Sequence, residues 1–196
     1  MTLADRITFV RIVLAPVFFA LFLVPDGHPA LAWVHPAVIV ALLWVIFLVA
    51  EISDGLDGMM ARRRNETSDF GRLFDPFADT LMQVTLFLCF VTAGILPAAL
   101  FLVVVYREFG ILFVRNLMLK KGVAMGARMS GKVKTVAYIV ACSTALCYSS
   151  LVRLGALEIL QPVLRVAALA TFAASVVIAV VSFFDYVSVY RAKVGE

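Results

Sequence analysis

The chain alternates long apolar runs with short polar connectors, and this alternation carries the first structural prediction. Six apolar stretches approach the ~20 residues that an α-helix needs to cross the hydrocarbon core of a bilayer. No internal repeat or low-complexity tract divides the chain into separate units. The pattern therefore predicts an all-α, polytopic membrane protein with about six transmembrane helices in a single domain, 1–196. The stretches cover residues 8–24, 36–60, 70–93, 96–119, 132–151 and 164–190.

Composition supports a membrane protein, and the basic residues orient it. Hydrophobic residues make up 63% of the chain, against roughly 45–50% in soluble domains. Because Lys and Arg gather in alternate connectors, the positive-inside rule predicts that both termini lie in the cytoplasm, with the protein in the inner (cytoplasmic) membrane. Basic residues at membrane edges face anionic headgroups, so we expect no nucleic-acid partner. The basic connector residues are Arg62, Arg63, Arg64, Lys120, Lys121, Arg128, Lys132 and Lys134.

Four aspartates interrupt the apolar pattern around the second connector. Asp54 and Asp57 lie near the end of the second stretch, and Asp75 and Asp79 near the start of the third. An acid at the bilayer centre costs about 2.5–3.5 kcal/mol, so we expect all four at one shallow depth, in a recess open to the cytoplasm. The i,i+3 and i,i+4 spacings place each pair on one helical face. Two antiparallel helices would bring the pairs together.

Four carboxylates in one recess require compensating positive charge, because they would otherwise repel one another. Two divalent cations match their combined charge. Oxygen ligands without His or Cys favour Mg²⁺ or Mn²⁺, and paired ions of this kind act as a clamp in phosphoryl transfer. Small residues beside the acids leave room for a ligand next to the metals, or alternatively allow close helix packing. They are Gly55, Gly58, Ala61 and Gly71.

The same stretch resembles a known signature. It contains Asp54-x-x-Asp57-Gly58-x-x-Ala61-Arg62, then eight residues, then Gly71-x-x-x-Asp75-x-x-x-Asp79. All eight fixed positions are similar in type and spacing to those of the CDP-alcohol phosphatidyltransferases. The opening "LADRITFVRIVLAPVF", with "YREFG" at 106–110 and "GKVKT" at 131–135, resembles phosphatidylglycerophosphate synthases in particular.

The resemblance implies a mechanism and a set of roles. The four aspartates would hold two metal ions on the diphosphate of CDP-diacylglycerol, and Asp79 would also act as general base on an acceptor hydroxyl, with CMP as the leaving group. It further implies a homodimer. The residues expected to bind the CDP-lipid are Asp54, Asp57, Gly58, Ala61, Arg62, Gly71 and Asp75.

Basic residues in the fourth and fifth stretches point to the acceptor. Arg107 and Arg115 interrupt an apolar run, and Lys132 and Lys134 follow in the next one. Together these cations would bind a phosphate on the acceptor, which favours glycerol 3-phosphate over an uncharged or cationic alcohol. Glu108 lies seven residues before Arg115 and shares its helical face, so an ion pair within the membrane is the alternative interpretation.

Other interpretations stay open at this point. Thr80 stands where phosphatidylglycerophosphate synthases usually carry Lys, and Phe74 stands where Leu is common. A different acceptor, such as inositol phosphate or another polar alcohol, is therefore an alternative. An intramembrane prenyltransferase also holds metal–diphosphate with paired aspartates, although its motifs are spaced differently. A divalent-cation transporter would place its acids nearer the membrane midplane.

Overall fold

The computed structural model describes residues 3–24, 34–64, 69–121 and 129–194. Within these ranges the helix course, but not the side chains, is described for 3–7, 54–64, 69–73 and 194. The described chain forms six long helices and a single-turn 3₁₀ helix, Glu158–Leu160. The long helices are α1 (Leu3–Leu23), α2 (Pro36–Arg64), α3 (Asp69–Thr92), α4 (Ala98–Lys120), α5 (Met129–Leu154) and α6 (Gln161–Val194).

The prediction of an all-α, polytopic membrane protein is confirmed. Four apolar segments of the described chain are long enough to cross a membrane, and the apolar part of α1, Thr8–Leu23, is shorter. The helix α4 is 23 residues long, but it carries Arg107, Glu108 and Arg115. The four long segments are Pro36–Ser53, Phe74–Thr92, Met129–Leu154 and Glu158–Lys193.

Contacts between helices fix their relative directions. Along α1 and α3, Thr8 contacts Asp75 and Phe22 stacks edge-on against Phe90, with ring centroids 5.5 Å apart. Residue numbers rise together along the two helices, so α1 and α3 run parallel. The same comparison makes α4 and α6 parallel and α5 and α6 antiparallel. The start of α1, the start of α3, the end of α4, the start of α5 and the end of α6 therefore share one end of the bundle, here called the site end.

Aromatic packing forms the centre of the bundle. The buried ring of Phe87 lies 5.0 Å from Tyr138 and 4.9 Å from Phe172, between centroids, which joins α3, α5 and α6. Such pairs contribute about 0.5–1.5 kcal/mol beyond area burial. Large apolar side chains such as Val45 and Phe184 are exposed on the outside, as expected where lipid replaces water. Helix association there depends on van der Waals contact and interhelical hydrogen bonds.

The opposite end of the bundle is closed by short turns and one arginine. Gly94 adopts a φ of +67°, a left-handed conformation that strains residues with a Cβ, and this turns the chain from α3 into α4. Arg153 of α5 donates hydrogen bonds to the carbonyl oxygens of Phe22 (2.9 Å) and Val24 (3.2 Å). These acceptors lie at the end of α1, where carbonyl groups lack partners within the helix. Arg153 therefore fixes α1 at the end away from the site.

Candidate active site

A polar cavity of about 250 Å³ opens at the site end, between side chains of all six long helices. Its acids come from α2, α3 and α4 and its basic residues from α1, α4 and α5, so both signs of charge line one space of small-molecule size. It is lined by Arg11, Ala50, Glu51, Pro76, Asp79, Thr80, Met82, Gln83, Arg107, Glu108, Ile111, Leu112, Arg115, Gly131, Lys132, Lys134, Thr135 and Tyr186.

Two residues of α1 contact the two described aspartates of α3. The hydroxyl of Thr8 donates to Asp75 Oδ1 at 2.5 Å, and the Arg11 guanidinium forms a salt bridge with Asp79 Oδ1. The Arg11 side chain is only 3% exposed, whereas that of Asp79 is 44% exposed. Asp79 therefore presents its carboxylate to the cavity, while Arg11 supports it from within the protein. These four residues are called the carboxylate wall.

The other predicted motif residues are described only as helix backbone. Asp54, Asp57, Gly58, Ala61 and Arg62 belong to α2 and Gly71 belongs to α3, and their side chains lie outside the described residues. At 1.5 Å per residue, Asp57 lies about 10 Å before the end of α2 and Asp75 about 9 Å after the start of α3. Similar distances from a short connection are compatible with the predicted common depth, and the four-aspartate arrangement stays a prediction.

The described carboxylates suit the predicted metals by chemistry. Asp75 and Asp79 offer only oxygen atoms, from one face of one helix, and hard divalent cations such as Mg²⁺ and Mn²⁺ prefer oxygen ligands. Among the side chains that the structure describes, no group of three or more His, Cys, Asp or Glu residues could hold a metal ion. The predicted metal site also includes Asp54 and Asp57 of α2, whose side chains lie outside the described residues, so it stays a prediction.

The structure brings all four predicted acceptor-binding cations to the cavity, but it gives them different surroundings. Arg107 is 6% exposed, and its guanidinium has three hydrogen-bond acceptors within the protein. It donates to the carbonyl oxygen of Ala179 (3.1 Å), to Glu108 Oε1 (2.8 Å) and to the hydroxyl of Ser182 (3.0 Å). Arg107 therefore joins α4 to α6 while its side chain reaches the cavity wall.

Lys134 is held in a similar way. Its ammonium group lies 3.2 Å from Glu108 Oε1 and 4.5 Å from the centroid of the Tyr138 ring, a cation–π contact. Glu108 is 5% exposed and accepts from both Arg107 and Lys134. The ion pair that the sequence offered as an alternative does form, although its partners are Arg107 and Lys134 and not Arg115.

Arg115 and Lys132 have fewer protein contacts. Arg115 donates to the Tyr186 hydroxyl at a long 3.4 Å, and its guanidinium lies 5.6 Å from the centre of the Tyr186 ring. Its buried Nε has no hydrogen-bond partner among the described residues. Lys132 is exposed. A phosphate would thus find Arg115 and Lys132 more available than Arg107 and Lys134.

Tyr186 depends on a glycine in the neighbouring helix. A Cβ added to Gly131 of α5 would lie 3.0 Å from the Tyr186 hydroxyl oxygen, closer than such atoms normally approach. Gly131 therefore allows the Tyr186 hydroxyl to lie against α5 within reach of Arg115. We call the six residues of this side the cation wall: Arg107, Glu108, Arg115, Lys132, Lys134 and Tyr186.

Sequence reasoning missed three residues that shape the site: Thr8, Arg11 and Tyr186. In the sequence-based prediction Arg11 belongs only to the opening stretch that carries the resemblance, yet an ionisable residue inside an apolar stretch is itself a signal of function. Thr8 and Tyr186 gave no such signal. Their partners lie 67 and 71 residues away in the chain.

The fold and the cavity define an integral-membrane protein with acids and cations arranged around a space of small-molecule size. Residues 1–181 match the CDP-alcohol phosphatidyltransferase family, and the chain belongs to that family.

Individual members of the family are also similar to this chain over most of its length. The chain is 37% identical over 196 residues to a CDP-diacylglycerol–glycerol-3-phosphate 3-phosphatidyltransferase of Treponema pallidum, covering 97% of this chain and 89% of the relative. It is 33% identical over 149 residues to the protein of the same description in Bacillus subtilis, covering 75% and 77%. It is 31% identical over 193 residues to a probable phosphatidylglycerophosphate synthase of Mycobacterium tuberculosis H37Rv, covering 98% and 83%.

Proposed function

We propose that this protein transfers a phosphatidyl group from CDP-diacylglycerol to glycerol 3-phosphate and releases CMP. One observation carries the choice of acceptor: four cations, in addition to the Arg11 that pairs with Asp79, line the same cavity as that aspartate. A dianionic acceptor phosphate beside carboxylates needs such cations to hold it. The descriptions of the relatives favour the same reaction.

Each motif residue then has a role in this reaction. Asp54, Asp57, Asp75 and Asp79 would hold two Mg²⁺ or Mn²⁺ ions, which when bound neutralise charge on the diphosphate. Asp79 takes the proton from an acceptor hydroxyl, and the resulting alkoxide attacks the phosphorus that carries the lipid. The bond from that phosphorus to CMP breaks. Positioning and charge neutralisation supply most of the catalysis in phosphoryl transfer, and Gly58, Ala61, Arg62 and Gly71 would complete the CDP-lipid site.

The basic residues of the cation wall have two different roles in binding the acceptor. Arg115 and Lys132 contact the phosphate directly, because their protein contacts leave them available. Arg107 and Lys134 share Glu108 and mainly fix the shape of the wall. In the sequence-based prediction all four had equal roles. The geometry supports this narrower assignment.

Orientation and assembly complete the proposal. We infer that the site end faces the cytoplasm, with both termini there and the protein in the inner membrane. Within the described chain, α1 begins and α6 ends at that end, where Lys120, Lys121, Arg191 and Lys193 also lie. Labelling single cysteines at positions 121 and 155 from one side of sealed vesicles should modify only one of them, and equal labelling would contradict this orientation. We further infer one domain that forms homodimers.

A CMP-release assay with purified enzyme, CDP-diacylglycerol and Mg²⁺ or Mn²⁺ tests the reaction. Glycerol 3-phosphate should support release, whereas glycerol, serine and choline should not. Release with inositol phosphate instead would show that the acceptor is wrong, a result that Thr80 in the cavity wall would help to explain. Cation flux into proteoliposomes without any CMP release would favour a transporter.

A further inference from the structure

We propose that Thr8 and Arg11 of α1 are positioning residues that set the orientation of the Asp75 and Asp79 carboxylates for metal binding. The proposal rests on the proposed function, because it assigns the two aspartates to the metal site. It extends that function by adding α1, which contains no residue of the aspartate motif.

The geometry of the two contacts is matched. Thr8 and Arg11 are three residues apart on α1, and Asp75 and Asp79 are four apart on α3, so each pair occupies one face of its helix. Because α1 and α3 run parallel, Thr8 contacts Asp75 and Arg11 contacts Asp79. One α1 face therefore holds both carboxylates at once.

Burial makes these contacts effective as restraints. Thr8 is 0% exposed and Arg11 is 2% exposed, so neither side chain can exchange its partner for bulk water. A hydroxyl donor and a guanidinium at Oδ1 limit rotation of the two carboxylate groups. Hydrogen-bond donors behind metal ligands commonly act this way, and their loss typically costs about 10- to 100-fold in metal affinity or activity.

Packing around the contacts keeps α1 in place. Ala15 and Phe18 of α1 are 1% and 0% exposed, and Phe22 contacts Phe90 of α3 further along. The two positioning residues are therefore carried by a helix that is fixed along its length.

Titration of detergent-purified protein with Mn²⁺ alone, followed by electron paramagnetic resonance of the free ion, tests this proposal without substrate. Thr8→Val, which keeps side-chain shape, and Arg11→Met, which keeps length, should each weaken Mn²⁺ binding by about 10- to 100-fold. Arg11→Lys should recover part of the loss. With Mn²⁺ raised to saturation, KM for CDP-diacylglycerol should return close to the wild-type value.

Two controls separate positioning from general stability. Arg153→Met loosens α1 at the opposite end, and Thr85→Val removes an α3 hydroxyl that bonds to Leu81 O within the same helix. Neither should change Mn²⁺ affinity, whatever it does to thermal unfolding. If Thr8→Val and Arg11→Met both bind Mn²⁺ like wild type, the proposal is wrong. If wild type binds Mn²⁺ and the variants bind it weakly, but no CMP forms with glycerol 3-phosphate, the proposed reaction fails and the positioning role stands.

Discussion

The carboxylate wall and the cation wall differ in the sign of their excess charge. On the carboxylate wall, two described aspartates face one arginine, and that arginine comes from a different helix, α1. On the cation wall, four basic residues accompany a single acid, Glu108, which pairs with Arg107 and Lys134. The first wall thus has negative charge in excess and the second positive charge in excess.

This difference shows how one site can bind both a cation and an anion. Buried ion pairs contribute little net stability, because desolvation offsets their attraction, but removing one partner is costly. Arg11 offsets part of the negative charge on the carboxylate wall, and Glu108 offsets part of the positive charge on the cation wall. The remaining excess on each wall is then available for a metal on one side and a phosphate on the other.

The largest expected effect comes from removing the carboxylate that faces the cavity. Asp79→Asn should lower CMP release by about 10²- to 10⁴-fold, the usual contribution of a general base. Because the buried Arg11 also loses its carboxylate partner, the unfolding temperature should fall as well, so activity is measured well below the unfolding transition of the variant. Asp185→Asn is the matched control at the same end of the bundle, where Asp185 accepts a hydrogen bond from Ser130. Equal activities of the two variants would remove Asp79 from the mechanism.

The next largest effect should appear in stability. Glu108→Gln leaves Arg107 and Lys134 buried without their shared carboxylate, so the free energy of unfolding should fall by about 3 kcal/mol or more. Thermal unfolding in detergent measures this. The control Glu158→Gln changes an exposed residue at the opposite end and should have little effect. A Glu108→Gln protein as stable as the control would show that the cation wall does not need its acid.

The division within the cation wall predicts a contrast between two arginines. Arg115→Ala should raise KM for glycerol 3-phosphate by about 10- to 150-fold, corresponding to the ~1.5–3 kcal/mol of a charge-assisted hydrogen bond, with a much smaller change in KM for CDP-diacylglycerol. Arg107→Ala should mainly lower the unfolding temperature, since its contacts join α4 to α6. Steady-state kinetics and melting curves of both variants measure this contrast. If the two variants change KM for glycerol 3-phosphate and the unfolding temperature to the same extent, the division of roles between Arg115 and Arg107 is wrong.

The smallest effect concerns Gly131. Gly131→Ala gains about 1 kcal/mol of helix propensity but presses a methyl group to 3.0 Å from the Tyr186 hydroxyl, so the two contributions to stability nearly cancel. Displacing Tyr186 should still disturb Arg115 and raise KM for glycerol 3-phosphate a few-fold. In a Tyr186→Phe background, where that oxygen is missing, the added methyl should have no further effect on KM. A few-fold rise in both backgrounds would point to another cause.

Hydropathy predicts much of the fold, and the differences between the predicted stretches and the observed helices have physical causes. The predicted stretch 36–60 matches α2 at its start, since apolar residues begin there. The stretch 8–24 misses the first turn of α1, which begins at Leu3, because polar residues outside the hydrocarbon core continue a helix without a hydropathy signal. Likewise α6 extends to Val194 through its basic last turn.

The site was only partly predictable. Alternating helices bring their polar ends together, so the cations and Asp79 were expected near each other, and they line one cavity. The use of Arg107 to bind the carbonyl oxygen of Ala179, 72 residues away, has no periodic signature in the sequence. Nor does the pairing of Arg11 with Asp79. Such contacts depend on which helices are neighbours and how they are rotated, which hydropathy does not determine.

The pairing of Arg11 with Asp79 also has a consequence for biogenesis. The two residues are 68 positions apart, so at a synthesis rate of about 5–20 residues per second the arginine leaves the ribosome roughly 3–14 s before its partner. During that interval α1 carries a cation near its first turns without the Asp79 carboxylate that pairs with it in the folded protein. A long side chain close to a helix end can reach the aqueous interface, which lets α1 insert before α3 is made. The guanidinium then leaves water only when the third helix docks.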